Sequence, residues 1–420
     1  MRFFFISIFF FLSTKAISQK IAGDWLGNLY VNDQQVPLAF HFKNDSLNKI
    51  SGTWDSPKQK AFDLPFSEIK INGDSIFLWI KMISGFYRAK MIGKDSLAGI
   101  WHQGNGELNL NFSRSALKRD ISKNIFLPNE KEIAITSADI KIYGTLLSKN
   151  NKQKLAIIIA GSGPTDREGN NPLGDDANSY KMLAQSLDSQ NIASFRYDKR
   201  GVAKSMSPDF NENNLLFEDY INDAKVIFNY LYDSLGFKNI FIMGHSEGSL
   251  IGIVASEKTK VKGYISLAGS GRPIDEVIRE QMRTQLSDSL NKKVKYIFAE
   301  LKAGKKVIDI PQPLASLFRS SVQPYLISWL KYSPAIEINK LKCPLLILQG
   351  TCDKQIRVKD AEDLHDANSK SELHIIPFMT HTLKDTDENC KDENNKTYTD
   401  SALPLNKILV KDIISFIKKN

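Results

Sequence analysis

Histidine and cysteine are scarce in this chain of 420 residues, at six and three respectively. The cysteines, Cys343, Cys352 and Cys390, have neither the number nor the spacing of a structural or catalytic metal site, so no metal is expected. An odd count leaves one thiol over in an exported protein. Cys343 opens an apolar strand and reads as a packing residue. No apolar run reaches the ~20 residues that span a bilayer. The run Phe3–Leu12 is short, follows Arg2 and leads to small residues at Ala16 and Ser18. It reads as a cleaved secretory signal over residues 1–18, without a lipidated cysteine behind it. A secreted or periplasmic protein without stable membrane insertion is therefore expected. A Walker loop is missing, and Gly161-Ser-Gly163 lacks the third glycine of a dinucleotide fingerprint, so no cofactor is expected. The formal charge is +9, but the lysines are dispersed and no arginine-aromatic blocks occur, which argues against a nucleic-acid partner. Nothing in the pattern fixes an oligomeric state.

At this length two domains are the natural expectation. Residues 19–120 read as all-β. Short alternating runs such as Trp25–Val31, Leu38–Phe42, Ser75–Ile80, Phe86–Ile92 and Glu107–Phe112 are separated by Asn-Gly and Gly-Lys-Asp turns. Gly-x-Trp recurs at Gly23, Gly52 and Gly99, and its tryptophans are candidates for the core of a small antiparallel sheet. After a lysine-bearing connection near Lys118–Lys131, residues 121–420 alternate strand and helix. Leu155–Ala160 is a continuous apolar strand of the kind buried on both faces of a parallel sheet. A helix at Ser179–Asp188, a strand at Ile192–Tyr197, a long amphipathic helix from Asn214 to about Asp233 and a strand at Gly263–Ala268 continue the pattern. This implies a doubly wound, mostly parallel α/β sheet. Residues 272–335 interrupt it with amphipathic helices and prolines. They read as a helical cap over the C-terminal edge of the sheet, where such folds bind ligands.

The strongest chemical signal is Ile240–Ser249, an apolar strand running into Gly244-His-Ser-Glu-Gly248 and then a helix-competent segment. A serine on such a strand-to-helix turn projects its Oγ from the sheet edge, so Ser246 is the candidate nucleophile. Glycines at 244 and 248 fit a place where helix and strand cross too closely for a side chain. A serine hydroxyl needs a base, and the base needs an orienting acid. In this kind of sheet the acid and then the histidine follow the nucleophile in chain order. Strand Pro344–Gln349 ends at Gly350-Thr-Cys-Asp353, which makes Asp353 the candidate acid. Asp275, one strand earlier, is the alternative. Of the later histidines, His365 falls in a helix and His374 in a strand. His381, in the loop after the last strand, is the candidate base. The oxyanion donors are expected to be the N–H of Glu247 and the N–H of Ser162 in Gly161-Ser-Gly-Pro164, with Gly163 the fallback. Asp166 and Arg167 are expected to pair and fix that loop. Because Asp353 and His381 must meet, Cys352 and Cys390 become neighbours, and a disulfide between them is expected in an oxidising compartment.

Together, Gly161-Ser-Gly-Pro-Thr-Asp-Arg-Glu-Gly-Asn170, Tyr197-Asp-Lys-Arg-Gly201, Gly244–Gly248, Gly350–Gln355 and Thr380-His-Thr-Leu-Lys384 resemble the α/β-hydrolase superfamily. The likeness is nearest to exported carboxylesterases with an N-terminal β domain, in the serine aminopeptidase and monoglyceride-lipase-like branch. That resemblance implies an α/β-hydrolase fold, hydrolysis of small-molecule esters of short to medium acyl chains and no cofactor. It also implies a mainly architectural turn at Tyr197–Gly201. A peptidase could use the same triad, with Glu247, Asp275 or Glu276 holding a substrate amine. A binding protein on a hydrolase scaffold is the reading from another class, against which the complete triad argues.

Overall fold

A computed structural model describes residues 21–31, 34–45, 50–59, 61–103, 106–115, 128–172, 174–392 and 395–420. The signal segment 1–18 and most of the connection near Lys118–Lys131 lie outside the described residues. The chain divides into two compact units, Met1–Asp120 and Ile121–Asn420.

In the first unit, nine antiparallel strands form one sheet. They are β1 (Gly23–Val31), β2 (Gln34–Asn44), β3 (Ile50–Ser56), β4 (Ala61–Pro65), β5 (Glu68–Asn72), β6 (Ser75–Ile80), β7 (Gly85–Ile92), β8 (Ser96–Gln103) and β9 (Gly106–Arg114). Their order is β4-β3-β2-β1-β9-β8-β7-β6-β5, so two meanders meet where β1 pairs with β9. Period-two alternation puts one face of each strand inward. Trp25, Trp54 and Trp101 are all buried there, beside Phe40, whose ring stacks on Phe112 with centroids 4.0 Å apart. A Cβ at Gly99 would lie 2.5 Å from the Arg88 carbonyl and 2.7 Å from the Tyr87 ring. The glycine of that Gly-x-Trp element therefore leaves room for the neighbouring strand.

The second unit is built on an eight-stranded sheet. Its members are β10 (Glu130–Ser137), β11 (Ile140–Leu147), β12 (Leu155–Ile159), β15 (Ala193–Tyr197), β16 (Ile240–His245), β17 (Gly263–Leu267), β18 (Leu345–Gly350) and β19 (Glu372–Ile376). A separate two-residue hairpin joins β13 (Asn170–Asn171) to β14 (Asp175–Asp176). The order is β10-β11-β15-β12-β16-β17-β18-β19, parallel from β15 to β19, with β10 and β11 antiparallel at one edge. This hairpin edge is an addition to the mostly parallel sheet expected from the pattern. Residues of β12, β15, β16, β17 and β18 are buried throughout, because helices cover both faces. Ala156, Ile158, Phe241 and Met243 face helices Ser179–Ser189 and Lys407–Lys419. Leu155, Ile157, Ile240 and Ile242 face the other layer, which includes helices Phe217–Asn229 and Glu247–Ser256.

The long amphipathic helix starts later than the periodicity suggests. Leu215 and Leu216 are extended, and the Asp219 carboxylate accepts the Leu216 N–H at 2.8 Å to begin the first turn at Phe217. The inserted segment is helical at Ile274–Met282, Asp288–Lys302, Ala315–Phe318 and Gln323–Trp329, and a further helix, Pro334–Asn339, runs past residue 335. Trp329 stacks on Phe217 with centroids 5.3 Å apart, and Ile297, Phe298 and Leu301 join the same core. The insertion thus shares the apolar interior of the unit.

Strand order fixes where ligands can reach. The chain goes from β12 to β15 on one side, then crosses to β16 on the other. The loops after β12 and β16 diverge there, and at such a switch point, outside the C-terminal ends of the parallel strands, doubly wound sheets bind their ligands.

Candidate active site

Ser246 stands at that switch point, between β16 and helix Glu247–Ser256, with φ 55° and ψ −120°. A positive φ on a non-glycine residue is costly and persists only where the surroundings enforce it. Here the Ser246 N–H donates to the Leu267 carbonyl at 2.9 Å, and the Ser246 carbonyl accepts from Ser249 N–H at 2.9 Å. A Cβ on Gly244 would lie 2.1 Å from the Gly248 carbonyl oxygen, and one on Gly248 would lie 2.4 Å from that of Ile159. No side chain fits at either place, which is why glycines flank the turn.

Asp353 follows β18 and His381 follows β19, and they meet: His381 Nδ1 lies 2.8 Å from Asp353 Oδ2. Both side chains are almost wholly buried. Asp353 also accepts from the N–H groups of Gln355 (2.8 Å) and Ile356 (2.9 Å) and from Gln349 Nε2 (3.1 Å). Burial works against its charge, but His381 and the two amides outweigh that and hold the carboxyl below its ordinary range. Asp275, the alternative acid, lies elsewhere. It sits on helix Ile274–Met282, paired with Lys302 at 2.8 Å and Arg279 at 3.4 Å. His365 and His374 are taken by Ser371 and Asp412.

Behind the serine, His245 links the strands of the site. Its Nε2 lies 2.8 Å from the His381 carbonyl, which can only accept, so Nε2 carries the proton. Nδ1 therefore accepts from the Tyr180 hydroxyl at 2.8 Å, and that same oxygen accepts the Gly161 N–H at 3.1 Å. A directional chain runs from the loop after β12 to the loop bearing His381. Desolvation, reinforced by the His381 ring 4.7 Å away, pushes His245 down to about 3. It is therefore neutral in the folded protein at neutral and mildly acidic pH.

The loop after β12 carries Gly161, Ser162 and Gly163, the last with φ 71°. Among the described residues, the N–H groups of Ser162, Gly163 and Glu247 find no protein acceptor. The Glu247 amide is one of the first-turn donors that a helix cannot satisfy internally. Arg167 does not pair with Asp166 as expected. It binds Asp198 (Nη2 to Oδ2, 2.6 Å) and Glu132 (3.2 Å), while Asp166 curls back to accept the N–H groups of Glu168 and Asn170. Neighbouring side chains on a turn diverge, so each found the partner on its own side.

Residues 197–201 form a structural turn whose charged side chains anchor the segments around it. Asp198 anchors Arg167, and Arg200 binds Asp223 at 2.6 Å. Lys199, buried, donates to the Gly161 carbonyl at 2.6 Å and to Glu247 Oε1 at 2.9 Å. Three consecutive charges directly after a fully buried strand were the available signal. From the insertion, Tyr325 packs on Tyr220 with centroids 5.7 Å apart. Burial and the nearby Glu247 carboxylate raise its hydroxyl well above the usual phenol range. Asp175, in β14, is raised by burial and pulled back by His381. Neither tyrosine nor aspartate stood out in the sequence. Cys352 and Cys390 form a disulfide with Cα atoms 5.0 Å apart, tying the acid loop to the segment after His381. Cys343 remains a free thiol, which burial pushes up to about 11. Among the described residues, no group of three or more His, Cys, Asp or Glu side chains is arranged to hold a metal ion. No helix among them is long and apolar enough to cross a membrane.

Residues 172–314 match the Hydrolase_4 family model, described as serine aminopeptidase, S33. The chain is 26% identical over 254 residues to esterase EstD of Thermotoga maritima, an alignment covering 59% of this chain and 58% of that relative. It therefore spans little more than half the length of the relative. Among solved structures, Est1E of Butyrivibrio proteoclasticus with ferulic acid bound superimposes with a TM-score of 0.48 at 18% identity, over 68% of this chain and 98% of that one. The proline iminopeptidase of Mycobacterium smegmatis gives a TM-score of 0.45 at 13% identity, over 69% and 98%.

Proposed function

Because this chain belongs to the α/β-hydrolase superfamily, we propose that it is an exported serine hydrolase that cleaves small-molecule carboxylic esters. The observation that carries the reading is the strained Ser246 at the switch point, next in the chain to His245, which binds the carbonyl of His381 in the buried Asp353–His381 pair. Ser246 Oγ attacks the ester carbonyl as His381 Nε2 takes its proton. Asp353 accepts the Nδ1–H of His381, holding the ring in the tautomer whose Nε2 is free and stabilising the imidazolium that forms. The N–H groups of Ser162 and Glu247 receive the carbonyl oxygen as it gains charge. Collapse of the tetrahedral adduct expels the alcohol, which takes the proton from His381, and leaves an acyl group on Ser246. Water then repeats the sequence: His381 removes its proton, the acyl bond breaks, and Ser246 regains its hydrogen while the acid departs.

The triad would serve a peptidase equally, and the choice turns on where a substrate amine would sit. Glu247 is neutralised by Lys199, and Asp275 by Lys302 and Arg279, so neither is free to hold a cation, and Glu276 is exposed to solvent on helix Ile274–Met282. That supports esters of short to medium acyl chains over aminoacyl amides. A fluorophosphonate probe should label Ser246, and a panel of acyl esters beside aminoacyl amides should show turnover of the esters. Absence of labelling, or turnover of the amides alone, would overturn the proposal. Residues 1–18 support export, for which mature-terminus sequencing of protein from outside the cytoplasm is the test; an intact Met1 there refutes it.

A further inference from the structure

The loop that carries the Ser162 amide belongs to no helix or strand, so something else must aim it. Two buried side chains grip Gly161, the residue before. Tyr180 Oη accepts its N–H at 3.1 Å, and Lys199 Nζ donates to its carbonyl at 2.6 Å. No described peptide bond is cis, so the Gly161 carbonyl and the Ser162 N–H, which share one peptide plane, point in opposite directions. Holding the carbonyl on Lys199 turns the Ser162 N–H away from it. Gly161 itself lies against the nucleophile: a Cβ there would be 3.2 Å from Ser246 Cβ. The same ammonium binds Glu247 at 2.9 Å, the residue whose own N–H is the second donor, and stands 4.8 Å from the Tyr220 ring centroid.

We propose that Lys199 is the positioning residue of the oxyanion hole, clamping the Gly161 carbonyl and the Glu247 side chain with one Nζ so that both amides face the same point. The proposal rests on the ester-hydrolysis reading. It differs from a role as mere counter-ion to Glu247. A buried ion pair can often be exchanged for apolar side chains of similar volume without loss of stability. Two methionines can fill that space, but they cannot hold a carbonyl.

The test is therefore the double variant Lys199→Met/Glu247→Met in the full chain, beside the wild type. If Lys199 aims the loop, kcat falls about 10- to 100-fold, less than the loss from removing an oxyanion donor outright, while KM stays within about twofold. Affinity for a trifluoromethyl ketone, whose adduct with serine bears an oxyanion, falls by the same factor. Affinity for the carboxylate product is unchanged. Full kcat in the folded double variant, or equal losses for ketone and product, overturns the proposal. Should the double variant not fold, Lys199→Arg decides: it keeps a cation on Glu247 but displaces the donor from Gly161. It is expected to lower kcat at constant KM, and unchanged kcat refutes the clamp. A wild-type enzyme that fails to react with fluorophosphonate at Ser246 refutes the underlying ester reading instead, which keeps the two failures apart.

Discussion

Replacing His245 by glutamine should make the fold resistant to mild acid. Glutamine can copy the neutral histidine's bonding, its oxygen accepting from Tyr180 and its amide donating to the His381 carbonyl, but it cannot take a proton. Histidine can, and the folded state forbids it. Desolvation chiefly, with the His381 ring beside it, brings His245 from an ordinary 6.5 to about 3. Between those values the unfolded chain binds a proton that the folded chain refuses, so stability falls as pH falls and is unaffected above the upper value. Integrating that difference from pH 7 to pH 4 gives about 3 kcal/mol lost by the wild type and none by the variant at this site. Asp353, whose carboxyl is held low, adds its own loss only as pH falls through the acid range below about 4, outside this window. The assay should report on the same strand. Met243 is fully buried two residues away, so peroxide oxidation of Met243 in a urea series, read by mass spectrometry at each pH, tracks opening there. At pH 7 the variant is expected to be the weaker protein, because it loses ring contacts. By pH 4 the gap should have closed by about 3 kcal/mol. Parallel curves for the two proteins would refute the reasoning, since they would mean that His245 titrates normally in the fold.

Three further outcomes are expected. Ser246→Ala and His381→Ala should each lower kcat by about 10⁴- to 10⁶-fold in folded protein, with the double variant little worse than either, and Asp353→Asn should be far more damaging than Asp275→Asn; steady-state kinetics with an acyl ester checks this, and additive losses would count against a triad. Joint replacement of Cys352 and Cys390 by serine should cost up to about 4 kcal/mol by urea denaturation, the chain-entropy value for a 38-residue loop, and a change under 1 kcal/mol would show that the bond constrains nothing. Trp329→Ala should destabilise by roughly 3–5 kcal/mol, because Trp329 stacks on Phe217 within the shared core; a loss near zero would make the insertion a separable lid.

The local steric signals were legible and the distant partners were not. Gly244 and Gly248 announced the turn at Ser246 because the crossing of helix and strand excludes a Cβ, a constraint that acts within five residues. The parallel strands were visible as unbroken apolar runs because both faces are covered. The hairpin of β10 and β11 was harder to see: with one face half exposed, it alternates like the first unit's strands and follows a polar connection. Arg167 went to Asp198 rather than Asp166, and Lys199 reached Gly161 and Glu247, because those pairings depend on which strand lies beside which. Sequence patterns say that β12 and β15 are strands, but only the crossover puts them side by side.

The block Asp198-Lys-Arg200 also bears on how such a gene could be recombined. Its three charges are tied to Arg167 upstream and to Asp223 and Glu247 downstream, so the anchoring partners span some eighty positions of the chain. A chimera whose crossover falls between residues 201 and 223 inherits the lysine from one parent and the glutamate from the other. Unless both parents share the pair, one buried charge is orphaned. Exchanges that keep 167–247 as one cassette avoid that conflict, and surviving crossovers in a shuffled library should accordingly thin out across this interval.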